Sequence, residues 1–136
     1  MGGLLEAGRE IMVDQEVSGS QLKSDRFPFQ SEGDITLAVR NADYSLGPVM
    51  LHIVMKPNAV IPAHVHKKCE ALYVAEGDFI NEGKQHQAGT SLHFKVGKEH
   101  GPHTTKNGCK LLVLWTDGTS KEAADLSDFI ISKKAA

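Results

Sequence analysis

The chain of 136 residues is 40% hydrophobic and 24% charged, and its 15 basic and 17 acidic side chains give a net charge of −2. These values predict one soluble globular domain with a single hydrophobic core. No basic stripe is visible, and no apolar run approaches the roughly 20 residues that a membrane helix needs. We therefore expect neither nucleic acid nor a membrane as a partner.

The first residues of the chain and its two cysteines both bear on the compartment. The stretch MGGLLEAGREIMVDQEV has no basic start followed by an apolar core, so it is not typical of a secretory signal. Cys69 and Cys109 form no C-x-x-C pair. A disulfide between them stays open, but a reduced, cytoplasmic protein is the simpler interpretation.

Residues 1–30 have a mixed composition that makes poor core material by itself. A short helix is expected over Leu4–Met12, and Phe27-Pro28-Phe29 forms a small apolar cluster. We interpret this part as an N-terminal extension that serves as the arm of a homodimer, because exposed sheet edges invite pairing.

From Ile35 the pattern changes to short strands separated by Gly, Asn and Pro turns. The predicted strands are, in chain order, ITLAVR, VMLHIVM (49–55), HVHKKCEALYVAEG, the two halves of the hairpin DFINEGKQHQAG, TSLHFKVG and GCKLLVLWTDG (108–118). A turn at Lys67-Lys68 breaks the third strand, and Glu82-Gly83 forms the hairpin turn. This spacing predicts an all-β sandwich or barrel over residues 31–118.

The segment 119–136 completes the domain and is expected to pack on the barrel. Within it, KEAADLSDFIISKK favours a short terminal helix, or equally a terminal strand entered through a turn.

The stretch IPAHVHKKCEALYVAEGDF, residues 61–79, carries the chemistry. His64, His66 and Glu70 have the same parity, so an unbroken strand would point all three side chains to one face. Imidazole and carboxylate together suit divalent transition metals. Taken singly, an H-x-H pair or a lone glutamate on a strand is more often exposed to solvent than bound to a metal.

The order of these residues resembles the first motif of the cupins, small jelly-roll barrels with a metal in the mouth. That motif is G-x5-H-x-H-x3,4-E-x6-G. Asn58 stands in the place of the first glycine, and the remaining positions follow in register as His64, His66, Glu70 and Gly77.

The second cupin motif, G-x5-P-x-G-x2-H-x3-N, is also matched in part. Gly89, Gly97 and His100 are in register, while Lys95 replaces the proline and Thr104 the asparagine. The resemblance covers roughly residues 45–118, and the departures fall on turn positions. It implies a metal site of His64, His66, Glu70 and His100, in which Glu70 could double as a catalytic base if it dissociates.

Two further histidines stay ambiguous. His103 follows Gly101-Pro102, and the motif register makes it a second-shell or substrate-facing residue beside the ligand His100. His52 shares the parity of Met50 and Val54, so it either faces the cavity as a second-shell or substrate residue or lies at the edge of the core.

The resemblance implies one divalent metal, with Fe(II) favoured over Mn, Ni, Co or Zn. It extends to single-domain cupins of the aryl-ketone dioxygenase kind, and equally to the cupin half of zinc-binding anti-sigma factors (ChrR-like). The first hypothesis is a dioxygenase acting on a small oxygen-bearing substrate. The alternatives are a non-oxidative isomerase, lyase or decarboxylase that uses the metal as a Lewis acid, and a metal- or ligand-binding sensor module.

Overall fold

The computed structural model of the protein describes residues 13, 15–43, 45–65, 68–116 and 130–131, the last two as backbone only. The helix expected over Leu4–Met12 lies outside these ranges. Of the predicted late element, only Ile130–Ile131 is described, and it is a strand. The described ranges contain one helical turn, the 3-10 helix Gly19–Gln21, and no helix in them is long and apolar enough to cross a membrane.

The described part of the chain is built from short antiparallel strands. They are β1 Ser24–Arg26, β2 Ile35–Asn41, β3 Val49–Met55, β4 Val60–Ile61, β5 His64–Val65, β6 Cys69–Asn81, β7 Lys84–Gln87, β8 Ser91–Phe94, β9 His103–Thr104, β10 Cys109–Thr116 and β11 Ile130–Ile131. Nine of them form one sheet in the order β1-β2-β3-β10-β6-β9-β4, with β7 and β8 also paired to β6. β11 pairs with β5 in a second, two-stranded sheet. The predicted all-β antiparallel fold is confirmed.

The core lies on the inner face of this curled sheet. In β3 every second residue is buried, from Val49 to Met55, and in β10 the buried residues are Cys109, Leu111, Val113 and Trp115. This period of two is that of a β-strand, whose alternate side chains point to the same face. The opposite face is mixed, with polar His52 and Lys110 among aliphatic residues.

The sheet also includes part of residues 1–30, which the sequence predicts to be an N-terminal extension. Ser24–Arg26 pairs with β2, and Phe27 just after it is only 5% exposed in the core. Phe27 contacts Phe29 edge to face, with ring centroids 5.3 Å apart. The barrel therefore begins before residue 31, because the apolar cluster around Pro28 belongs to its core.

β6 changes partners along its length and so turns a corner of the barrel. Its first part pairs with β10 and β8, and its last residues pair with β7 and β9. Gly77 lies at the change, with φ of 81°. A Cβ atom there would collide with the carbonyl oxygen of Gly108, so only glycine lets β6 and β10 approach this closely.

The turn residue that departs from the first cupin motif keeps the backbone shape that a glycine would have. Asn58 has φ of 68°, in the left-handed region that asparagine adopts more readily than most side chains. The replacement of glycine by asparagine therefore leaves the turn before β4 intact.

Candidate metal centre

Two of the predicted ligands face each other across a pair of backbone hydrogen bonds. His64 N–H donates to the carbonyl of His100 at 2.9 Å, and His100 N–H donates to the carbonyl of His64 at 3.0 Å. Residues paired in this way present their side chains on the same face. Their rings are buried, at 2% and 1% exposure, with centroids 4.3 Å apart.

His103 joins this pair rather than pointing away from it. It lies on β9 beside Ile61 of β4 and Asn81 of β6, and it is 3% exposed. Its ring centroid is 5.0 Å from that of His64 and 5.4 Å from that of His100. Its position on β9 thus turns the side chain into the barrel, so the chain reversal at Gly101-Pro102 places both flanking histidines at one site.

Glu70 reaches the same site from β6. It is 6% exposed, and its Oε2 lies 3.5 Å from Nε2 of His100. Its Oε1 accepts a hydrogen bond of 2.9 Å from Nε1–H of Trp115, which is directly opposite on β10. The predicted parity holds here, since Glu70, Leu72 and Val74 are all buried on the inner face.

The ring nitrogens of His64, His100 and His103 that could act as ligands all lie within 4.8 Å of one another. Donors about 2.1 Å from one ion lie about 3 to 4 Å apart, so the cluster needs only a slight contraction to bind one. Nδ1 of His64 lies 2.8 Å from the carbonyl oxygen of Pro62, and Nδ1 of His100 lies 3.1 Å from that of Lys98. A carbonyl only accepts, so Nδ1 carries the proton and Nε2 keeps its lone pair for a metal.

Aromatic rings hold two of the imidazoles in place. Phe94 stacks on His100 with centroids 4.2 Å apart and an interplanar angle of 18°. Phe79 lies against His103 at 4.9 Å. Buried imidazoles with fixed orientation and a neighbouring carboxylate fit a divalent transition metal.

The cluster forms one wall of a small apolar cavity inside the barrel. Three of its lining residues are polar, namely His64, Glu70 and His103. The others are Phe27, Phe29, Trp115 and aliphatic side chains of the inner sheet face. The cavity volume is about 30 Å³, which is room for about two waters. No lysine or arginine is among the described lining residues.

The two remaining predicted site residues are His66 and His52. His66 lies outside the described residues. His52 lies on the outer face of β3, because Leu51 and Ile53 take the inner face. Burial and then the positive charges of Arg40 and Lys110 lower the pKa of His52, so the structure places it as a neutral residue of the outer surface.

The cysteines take no part in this site. Both are free thiols, with Cys109 buried in the core and Cys69 partly buried. Burial raises the pKa of Cys109 to about 11, so its thiolate is scarce at neutral pH and it is a poor nucleophile.

The sequence predicts a strand over GCKLLVLWTDG but gives no prediction of the hydrogen bond from Trp115 to Glu70. The available signal was chemical: a buried indole N–H nearly always finds an acceptor. The parity of β10 turns Trp115 inward, toward the face where Glu70 was already expected.

The sequence matches the ChrR cupin-like domain over residues 23–116. The chain belongs to this cupin family. None of the curated proteins matches the sequence.

Solved cupin structures share the fold at low sequence identity. A protein of Methylibium petroleiphilum PM1, named as a candidate acetylacetone dioxygenase, has a TM-score of 0.72 and 12% identity, with 94% of this chain and 88% of that chain covered. The acetylacetone dioxygenase of Acinetobacter johnsonii has a TM-score of 0.65 and 12% identity over the same shares. A single-residue variant of the oxalate decarboxylase of B. subtilis has a TM-score of 0.66 and 17% identity, with 91% of this chain and 34% of that chain covered. At such identities the likeness establishes the fold and not the reaction.

Proposed function

We propose that this cupin is a metal-dependent enzyme, a dioxygenase that acts on a small, uncharged, oxygen-bearing organic substrate. The observation that carries the proposal is the buried cluster of three imidazoles and a carboxylate at the wall of an apolar cavity. Titratable groups that converge in a cavity are the usual mark of an active site.

We expect His64, His100 and Oε2 of Glu70 to hold the metal, with the ring of His103 beside them. His66 is a further candidate from the cupin motif. Such a metal supplies Lewis acidity to a bound oxygen atom and, if it is redox-active, a means of activating dioxygen.

The cavity supports an uncharged substrate. A dianion such as oxalate brings two negative charges to a site where Glu70 already supplies one, so a single divalent metal leaves one negative charge to be paired, and a buried unpaired charge is costly. The described lining offers no lysine or arginine for that purpose. This favours the reaction of the dioxygenase neighbours over that of the oxalate decarboxylase.

The cavity also limits the size of the substrate. All of its described lining residues are buried except Phe29, which is partly buried. A substrate larger than about two water-sized groups must therefore displace Phe29. Glu70 is the one carboxylate among the described lining residues.

The test is metal analysis followed by oxygen uptake. Protein made without an affinity tag is loaded separately with Fe(II), Mn(II), Ni(II) and Zn(II), then mixed with a neutral β-dicarbonyl compound or with oxalate. We expect one metal per chain, oxygen consumption equal to substrate loss in the Fe(II) form, and no turnover of oxalate.

The other outcomes separate the alternatives. Substrate loss without oxygen consumption would replace the dioxygenase by a non-oxidative isomerase, lyase or decarboxylase. Tight binding of metal or small molecules without any turnover would indicate a sensor module. Absence of bound metal under all conditions would refute the proposal as a whole.

A further inference from the structure

The bond between Trp115 and Glu70 joins two residues that are 45 positions apart in sequence and directly opposite in the pairing of β10 with β6. Both side chains are almost completely buried, at 3% and 6% exposure. Trp115 is the only tryptophan of the chain. The donor–acceptor distance of 2.9 Å is that of a strong bond from an N–H group to a carboxylate.

The two oxygens of Glu70 have different surroundings. Oε1 accepts the indole N–H, while Oε2 faces Nε2 of His100 at 3.5 Å. A carboxylate held by one oxygen cannot rotate about its Cγ–Cδ bond without breaking that contact. Oε2 is consequently the oxygen presented to the histidine cluster.

We propose that Trp115 is a positioning residue for metal binding, which holds Glu70 so that it offers a single oxygen to the site. The inference rests on the metal centre in the proposed function. Glu70 is then a donor of fixed orientation, rather than a carboxylate that dissociates from the metal. Hydrogen bonds to ligands of this kind typically change metal affinity by about 10- to 100-fold.

The first experiment measures metal affinity in Trp115→Phe, which removes the indole N–H and keeps an aromatic ring in the core. We expect Co(II) and Zn(II), titrated against a chromophoric chelator, to bind about 10- to 100-fold more weakly. The visible absorption spectrum of the Co(II) form should also change, because the donor geometry changes. Val49→Ala is the matched control, a truncation of a buried core residue directly opposite Trp115 on β3 that does not line the cavity; its Co(II) spectrum should stay that of the original protein.

The second experiment asks whether the effect passes through the carboxylate. Residues that act as a unit are not additive, so Trp115→Phe introduced into Glu70→Ala should weaken metal binding by less than about 2-fold. An equal loss in both backgrounds would show that Trp115 acts only through packing, and would overturn the inference.

A third measurement does not depend on the variants of Trp115. The single indole N–H gives one NMR resonance in the metal-free protein, and Glu70→Ala should shift it upfield as the hydrogen bond is lost. An unchanged resonance would overturn the inference. If the unaltered protein binds no metal, the proposed function and this inference both fail; if it binds metal but Trp115→Phe binds equally well, only the inference fails.

Discussion

β6 carries two buried carboxylates, Glu70 near its start and Asp78 eight residues later, and their surroundings differ. Glu70 is 6% exposed and Asp78 is 4% exposed. Glu70 lies against imidazole and indole rings at the wall of a cavity. Asp78 lies toward the other end of the strand, where backbone amides of the turn before β10 surround it.

The surroundings of Asp78 are those of a structural anchor. Its two carboxylate oxygens accept the backbone N–H groups of Lys106 and Asn107, each at 2.9 Å. Its carbonyl accepts the hydroxyl of Thr105 at 2.7 Å, and that hydroxyl in turn accepts N–H of Gly108 at 2.9 Å. Every one of these contacts fixes the turn that leads into β10.

The comparison teaches that burial of a carboxylate does not by itself indicate function. Backbone N–H groups bind both carboxylate oxygens of Asp78. Side chains that can themselves bind a metal surround Glu70. The kind of neighbour, rather than the exposed fraction, separates the two roles.

The largest expected effect comes from removal of His100, the predicted metal ligand beside Glu70. His100→Ala should weaken Zn(II) or Co(II) binding by more than about 100-fold, beyond the usual loss for an outer-sphere partner. Equilibrium dialysis with elemental analysis measures it. His93→Ala, which removes an exposed histidine of β8, is the control and should bind as the original protein does. Full metal content in His100→Ala would show that the metal does not bind at the Glu70 end of β6.

Removal of the other carboxylate should act on stability. Asp78→Ala leaves two amides and a buried turn without their acceptor, so the free energy of unfolding should fall by about 2 to 3 kcal/mol. Urea denaturation of the metal-free protein measures it. Refolded Asp78→Ala should keep its metal affinity; a parallel loss of metal would mean that the two ends of β6 are not independent.

Removal of His103 tests whether this residue coordinates the metal directly. The cupin motif makes it a second-shell residue, whereas its place in the cluster also allows direct coordination. We expect His103→Ala to weaken metal binding by about 10- to 100-fold, less than His100→Ala does. The same dialysis assay decides the order. If His103→Ala lost more metal affinity than His100→Ala, the third histidine ligand would be His103, three residues after the motif position.

Glu70→Gln should have the opposite effects to Asp78→Ala, keeping the stability of the protein and weakening metal binding. The amide oxygen of glutamine can still accept the indole N–H, so the free energy of unfolding without metal should change by less than about 1 kcal/mol. Metal affinity should fall by about 10-fold, because a neutral donor replaces a carboxylate. If Glu70→Gln instead unfolded as readily as Asp78→Ala, both carboxylates would be structural.

The smallest effect is a dependence on acid. Burial raises the pKa of Asp78, but the amide hydrogen bonds of Lys106 and Asn107 outweigh it, and the net pKa lies below the ordinary 3.8. The unfolded chain then binds the proton more readily, so this contribution to stability is present above about pH 4 and is lost as the pH falls through the folded value. Asp78→Asn should therefore lose less stability between about pH 5 and pH 2 than the original protein. Equal losses, measured by urea denaturation at each pH, would assign the acid dependence to other groups.

Much of the sheet follows from local pattern. VMLHIVM forms β3 over the predicted residues 49–55, and Glu82-Gly83 makes the hairpin turn with φ of 51° and 84°. Strands of two residues, such as β4 and β9, were not predicted, because two residues are too few to show a period. They exist through pairing with distant parts of the chain.

The site was predictable only where a motif or a parity could point to it. Strand parity placed Glu70 inside, and motif register selected His100. Neither could place His103, since its orientation depends on the pairing of β9 with β4 and β6. The bond from Trp115 likewise depends on the register between β10 and β6, which connects residues far apart in sequence.

The reciprocal backbone bonds between His64 and His100 have a consequence for metal selectivity. They join the two histidine backbones before any ion arrives, so little of the binding energy is spent on ordering the ligands. A preformed set of nitrogen and oxygen donors follows the Irving–Williams order, in which Cu²⁺ and Zn²⁺ outcompete Fe²⁺. Which ion occupies the proposed site would then depend on the metals in the surroundings, and protein grown in zinc-rich medium should contain zinc even if iron is the metal that supports activity.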